Sequence, residues 1–258
     1  VPLFVAASTE PTLANVEQNS YLVSFDDNGQ ASAAAEWALE QGITRAFVFT
    51  QPGPYTGLNP DVFSEVFVAG GGEIVSEQTY EWGADTDFSA QVSELSNVLE
   101  GGEAFYSAAL GFQVTALRGQ LEAAGFDDIT YIGTDALDAT GIQVEENNEG
   151  IVHTPHDFIE AGDRSDALLS SFAASPGGEE LESRGFMALY VDSLFLGLQG
   201  VLDCGCTDSV GIGEAVAQIE GFEGLSGTIT YAGTNGIPPK DVPIVQITDG
   251  ADALIDTK

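Results

Sequence analysis

Basic residues are the scarcest component of this 258-residue chain: Arg45, Arg118, Arg164, Arg184, Lys240 and Lys258 are all there are, against 41 Asp and Glu, for a formal net charge of −35. A surface so charged repels phosphate backbones and anionic bilayers, which excludes nucleic acid as a partner. Surface ion pairs cannot hold such a fold together. The acids are spread along the chain and not gathered in a tail, so the composition reads as a halophile's surface whose repulsion is screened by salt.

Cysteine and histidine are nearly as rare. Cys204 and Cys206 stand in CGC, a spacing too close for ordinary disulfide geometry and too poor for zinc or a CxxC motif, so a loop with free or strained thiols is expected. His153 and His156 flank Pro155, which denies them helical i, i+4 presentation, and no metal is expected. There is no initiator Met, no positively charged leader and no apolar run judged long enough for a signal peptide or membrane span. Any export signal and membrane anchor are therefore expected upstream of Val1. Catalytic signatures are missing too. No GxSxG elbow occurs, neither lysine is followed by Ser or Thr as a Walker A loop requires, and the glycines around Gly211 and Gly213 lack the third position of a dinucleotide fingerprint. The expectation is a non-enzyme without cofactor, with an α/β hydrolase as a remote alternative.

What the chain does have is a 43% hydrophobic composition and 31 Gly, enough to bury a substantial core in one large domain or two ordinary ones. It is organised around its opening stretch, VPLFVAASTEPTL (Val1 to Leu13), an apolar run of strand length passing through Ser8 and Thr9 to Glu10-Pro11, which reads as the first turn of a helix. Free backbone N–H groups at such a junction would hold a carboxylate or phosphate. Alternatively Ser8 or Thr9 simply caps the helix.

Strand and helix then alternate. Tyr21 to Phe25 reads as a strand and Asp27 to Gln41 as a helix. RAFVFT (Arg45 to Thr50) is a strand, followed by a turn-rich loop through Tyr55 to Gly57 and a helix opened by Asn59-Pro60. Further strands are read at Glu73 to Tyr80, Ala104 to Ala108, Thr130 to Gly133 and Ile151 to Thr154. Helices lie between them from about Asp87 to Leu99 and Phe112 to Ala124, and a polar loop spans Glu145 to Glu149. This alternation predicts parallel sheets with helices on both faces. From Pro155 helices dominate, near Ser165 to Ala174, Glu182 to Leu202 and Ser209 to Ile219, before closing strands at Gly227 to Tyr231 and Pro243 to Thr248. Two lobes follow: residues 1–25 with 156–232, and residues 26–155 with 233–258.

Ligands of open parallel sheets bind beyond the carboxyl ends of the strands. That rule selects Ser8 and Thr9, Tyr55, Leu110 with Gly111, and Asp135: an anion cradle, an aromatic cover, an apolar wall and a carboxylate that could receive an ammonium. The set suits a zwitterion with an apolar side chain. Phe186 reads as a core residue of a long apolar helix or as a wall of the same cleft.

VPLFVAASTEPTL, the loop ending in Tyr55, DTDFSA (Asp85 to Ala90), AFYSA, YIGTDAL, the Glu149-Gly150 turn and GTITYAG together resemble, in order and over essentially the whole chain, the leucine/isoleucine/valine-binding proteins of ABC transporters, which are type I periplasmic binding proteins. The resemblance implies an α/β fold of two doubly wound lobes joined by three crossing segments, near Phe25, Pro155 and Gly233, with ligand trapped by hinge closure. It also implies that Ala7, Ser8 and Thr9 hold the ligand's carboxylate and ammonium, that Tyr55 is the lid tyrosine, and that Asp135 takes the ammonium where leucine-binding members have a glutamate. The family's tyrosine after AFYSA has no counterpart, because Leu110, Gly111 and Phe112 stand there. Family members also carry strand-helix units before the Ala-Ser-Thr corner, so the first lobe is expected to be incomplete and to expose apolar sheet surface. The implied function is an extracytoplasmic solute-binding component that hands an amino acid or small amide to a membrane permease. The ligand-sensing ectodomain of a membrane receptor is the alternative.

Overall fold

The computed structural model describes residues 1–138, 142, 148–158, 166–176 and 184–258; part of the expected polar loop at 145–149 and the expected starts of two helices, at 165 and 182, lie outside them. The chain divides into two compact units, Val1–Asp27 with His156–Asp241 and Asn28–Pro155 with Val242–Lys258.

In chain order the strands are β1 (Leu3–Val5), β2 (Ser20–Leu22), β3 (Arg45–Thr50), β4 (Glu73–Thr79), β5 (Ala104–Tyr106), β6 (Thr130–Gly133), β7 (Val152–His153), β8 (Phe222–Gly224), β9 (Gly227–Ile229), β10 (Pro243–Thr248) and β11 (Ala251–Thr257). The helices are α1 (Asp27–Glu40), α2 (Leu58–Ala69), α3 (Ser89–Leu95), α4 (Gly111–Ala123), α5 (Asp166–Ala173), α6 (Arg184–Cys204) and α7 (Ser209–Val216).

The second unit is built on a seven-stranded sheet in the order β11-β10-β7-β6-β5-β3-β4. Alternation along the strands divides its core. Phe47, Phe49, Phe105 and Tyr131 face α3 and α4 with Leu95, Leu117 and Leu121. Ala46, Val48, Ala104, Tyr106 and Ile132 face α1 and α2, where a run of alanines, Trp37, Phe63 and Phe67 meet them. The small alanines of α1 let the helix sit close to the sheet, and the stacked rings of Phe63 and Tyr106, 4.2 Å apart, fill the space beside them. The sheet is not wholly parallel, as the alternation predicts, but mixed. β4, β3, β5, β6 and β7 run parallel, while β10 pairs antiparallel with both β7 and β11. A chain that returns from the other unit enters this edge in the reverse sense, and β11 then follows β10 through a tight turn in which Asp249 takes a left-handed φ of 53°.

The first unit has a parallel pair, β1 with β2, and an antiparallel hairpin, β8 with β9. Its core gathers Tyr21, Val23, Leu189, Leu196, Val216, Ile229 and Tyr231. Both tyrosines meet the requirement that a buried hydroxyl find a partner: Tyr21 donates to the Gly213 carbonyl at 3.0 Å and Tyr231 to the Leu22 carbonyl at 2.7 Å. Asp192, buried on α6, accepts from the backbone N–H groups of Leu225 and Ser226 and from the Ser226 hydroxyl, and so holds the turn between β8 and β9.

The structure departs from the sequence expectations at five further points. No helix follows the opening corner. Glu10, and neither Ser8 nor Thr9, caps a single 3-10 turn at Pro11–Leu13, and Asn15 and the left-handed Asn19 redirect the chain straight into β2. The helix-dipole argument for an anion at this corner goes with it. Cys204 and Cys206 form a disulfide, because Gly205, at a left-handed φ of 60°, folds the loop until the two Cα atoms lie 5.1 Å apart, within the usual disulfide range. α6 is long and apolar enough, by length and composition, to cross a membrane, a run the sequence reading passes over. Residues 233–241 stay with the first unit, because the Gly236 carbonyl accepts from the N–H of Leu22 and Lys240 donates to Ser226, so the last crossing falls after Asp241 and not at Gly233. The exposed apolar surface is on a helix more than on the sheet. Leu3 of β1 is open to solvent, but so is a ridge of α6 made of Tyr190, Leu194, Leu198 and Leu202.

Candidate functional site

In the second unit, the carboxyl ends of β3, β4, β5 and β6 bring together several polar and aromatic groups. β6 ends at Gly133, and Thr134 and Asp135 follow in a 3-10 turn, both buried. The Tyr55 hydroxyl donates to Asp135 Oδ1 at 2.7 Å, lies 2.7 Å from Thr134 Oγ1 and accepts from the Ala136 N–H at 3.1 Å. Since the one phenolic proton is committed to the carboxylate, Thr134 is the donor to Tyr55. Gln30 supports the turn from α1, its amide oxygen accepting from the Asp135 N–H at 3.2 Å and from the Thr154 hydroxyl at 3.1 Å. Two of the expected site residues, Tyr55 and Asp135, are thus in direct contact although 80 positions separate them.

Tyr55 is held by its own loop. Thr56 donates to the Gln51 carbonyl, and Gly57 N–H to the Gly53 carbonyl. A side chain at Gly57 would put its Cβ 2.9 Å from that carbonyl oxygen, so glycine is required by close approach. Asn59, buried at the start of α2, donates to the Tyr55 carbonyl and accepts from the Tyr106 hydroxyl. The neighbouring strand ends carry Tyr80, whose phenol burial pushes up to about 12 and which accepts from the Ser107 hydroxyl at 3.3 Å.

Leu110 precedes α4 on the same edge, with its side chain near Gly83 of the loop after β4. That loop holds a residue the sequence reading missed. Trp82 donates its indole N–H to the Ala108 carbonyl at 2.9 Å and its backbone N–H to Gln51 Oε1 at 2.6 Å, leaving a partly exposed ring at the strand ends. Gln113 of α4 pins the loop by accepting from Gly83 N–H and donating to the carbonyls of Glu81 and Asp85. The signal was present, since Trp82 lies just beyond β4 and the strand-end rule selects it as it selects Tyr55.

Ala7, Ser8 and Thr9 belong to the other unit. Ser8 is exposed, while Thr9 is 2% exposed and its hydroxyl donates to Asp27 Oδ1 at 2.7 Å. His153 Nε2 is 3.0 Å from Asp252 Oδ1 in the sheet, and among the described residues no group of three metal-binding side chains occurs. Phe186 packs edge-on against His156 at 4.6 Å.

The sequence model for the periplasmic binding proteins matches residues 1–252. The chain belongs to the periplasmic binding protein family. Among solved structures, it is similar to the leucine-binding protein LivK of Thermotoga maritima, with a TM-score of 0.83, 24% identity, and coverage of 100% of this chain and 73% of that one. A solute-binding protein of an ABC transporter from R. palustris, in complex with benzoate, gives a TM-score of 0.82 at 17% identity, covering 100% of this chain and 71% of that one. LivJ from Streptococcus pneumoniae, in complex with isoleucine, gives 0.76 at 19% identity, covering 99% and 72%. No curated protein matches by sequence. Family and fold are those of the periplasmic binding proteins. Membership of the periplasmic binding proteins implies a small-molecule ligand and an extracytoplasmic location.

Proposed function

We propose that this periplasmic binding protein is the solute-binding component of an ABC importer and that its ligand is an amino acid with an apolar side chain, or a related small amide, passed to a membrane permease. The observation that supports this reading is the buried carboxylate of Asp135, held by Tyr55 at the end of β6. Its similar structures include an isoleucine complex and a benzoate complex, and the two ligands share a carboxylate but differ in the ammonium. A buried carboxylate at the ligand edge favours the amino acid, because it would repel an aromatic acid with no cation to offer. In this reading Ala7, Ser8 and Thr9 supply the corner for the ligand's carboxylate, Leu110 an apolar wall, and Tyr55 the cover. The Cys204–Cys206 disulfide agrees with an oxidising compartment, and the acidic surface with a protein of a halophile.

Asp135→Asn tests it. Leaving a buried ammonium half unpaired costs on the order of 2 to 5 kcal/mol, roughly thirtyfold or more in affinity. Calorimetry in molar salt should show leucine, isoleucine or valine binding lost by that factor, benzoate binding unchanged or improved, and the ligand-free melting temperature nearly constant. A variant that keeps its amino-acid affinity but melts lower, by the roughly 1 kcal/mol of a weakened hydrogen bond from Tyr55, would reduce Asp135 to a structural residue.

A further inference from the structure

The corner Ala7-Ser8-Thr9 is gripped from both sides. His156 Nε2 lies 2.8 Å from the Ala7 carbonyl oxygen, and since a carbonyl only accepts, this nitrogen carries the proton. The ring is 3% exposed and is fixed by two aromatic neighbours, Phe25 in parallel at 6.1 Å and Phe186 edge-on at 4.6 Å. On the other side of Ser8, Thr9 is doubly bonded to Asp27: the Thr9 hydroxyl donates to Oδ1 at 2.7 Å, and the Asp27 N–H donates to the Thr9 carbonyl at 2.8 Å. Ser8 alone of the three is exposed.

The two gripping residues share one property. Asp27 is the last residue of the first unit before the chain crosses into the other, and His156 the first after it returns. We infer that His156 is a positioning residue that, together with Asp27, fixes the binding corner to the ends of two crossing segments, so that the seat for the ligand is set by the crossings and not by the strand that carries it. β1 is three residues long and ends at Val5, and the 3-10 turn beyond the corner is a single one; neither could orient Ala7 to Thr9 alone. Thr9, in this inference, serves by holding Ser8 and the Ala7 carbonyl in place through Asp27.

The inference rests on the corner being the ligand seat, so the test has one arm that needs no ligand. His156→Phe keeps a ring between Phe25 and Phe186 and removes the donor; His156→Gln restores an N–H donor. Backbone order parameters of Ser8 and Thr9 should be near 0.85 in the wild type and the Gln variant and should fall towards about 0.6 in the Phe variant. Equal rigidity in all three overturns the inference. If the Phe variant does not fold, the imidazole nitrogen shifts of the wild type decide: an Nδ1–H tautomer, unable to donate to Ala7, overturns it. In the second arm, affinity for branched-chain amino acids should drop about tenfold in the Phe variant, as expected for one lost hydrogen bond, and recover with Gln. A corner that loosens with affinity unchanged also overturns it. A wild type that binds none of these ligands overturns the proposed ligand class instead, and the first arm still decides whether His156 holds the corner.

Discussion

In the unit built on the seven-stranded sheet, Phe47, Phe49, Phe63, Phe67 and Phe105 are sealed between helices on both faces. In the other unit, α6 contributes Leu189 and Leu196 to the core but turns Tyr190, Leu194, Leu198 and Leu202 to solvent at 61, 63, 48 and 74% exposure. The spacing of four places these residues on one ridge, the surface by which helices ordinarily pack on one another. Large apolar residues therefore carry different energetic weight in the two units, and burial, not hydrophobicity, sets it.

The largest expected effect erases the comparison altogether. If the net charge of −35 marks a halophile's surface, the fold should depend on screening, whose length is roughly 10 Å at about 0.1 M salt and roughly 3 Å at about 1 M. Both units should unfold in low salt and refold in molar potassium chloride, and circular dichroism that does not change between the two would remove the halophilic reading. Within molar salt, Phe105→Ala should cost about 3 to 5 kcal/mol in chemical denaturation, since its ring is 1% exposed and touches Phe47, Phe49 and Tyr131. A cost below about 1 kcal/mol would mean that the core is looser than its packing implies.

A smaller effect concerns Lys240 in the first unit. Burial lowers its pKa to about 8, against the opposing pull of Asp157 and Asp192, while its ammonium donates to the Ser226 carbonyl at 2.6 Å and hydroxyl at 2.7 Å. Because the folded pKa lies below the unfolded value of 10.5, the unfolded chain binds more protons between these limits. The burden of the buried charge is then full below about pH 8 and is relieved as pH rises towards 10.5. This group alone should raise stability by on the order of 3 kcal/mol across that window, and the rise should disappear in Lys240→Arg, whose charge persists. A melting temperature that falls equally in both proteins would contradict it. The smallest effect is the sharpest contrast with Phe105: Leu198→Ala on the open ridge should change stability by no more than about 0.5 kcal/mol while weakening the binding of an apolar dye. A core-sized loss would show that the ridge is covered in solution.

Much of the scaffold was legible. β3 and β10 match the strands read from their apolar runs, and α2 and α4 form where Asn59-Pro60 and the 3.6-residue pattern place them. Elements that depend on partners were not. β8 is three residues long with a glutamate in the middle, and the turn beyond it is held by Asp192, a residue 30 positions away on α6. β11 carries Asp252 and Asp256 on an edge where neither pays the full cost of burial. The helix expected after Pro11 was a false signal, since a proline favours a first turn but cannot prolong it past Asn15 and Asn19. At the candidate site, the strand-end rule found Tyr55 and Asp135 without showing that they would touch. Nothing in their spacing reveals that the phenol donates its proton to the carboxylate.

Arg45 shows what scarcity of one charge does to a protein over generations. Its guanidinium lies within 4 Å of three glutamates, Glu73, Glu100 and Glu103, and the last is fully buried with its oxygens also accepting from the N–H groups of Glu100 and Gly101. A buried carboxylate stripped of its cation is among the costlier lesions a fold can suffer. Replacing this arginine should therefore cost the fold far more than replacing an exposed surface carboxylate. Its mutational tolerance is lopsided, wide for the many and narrow for the few.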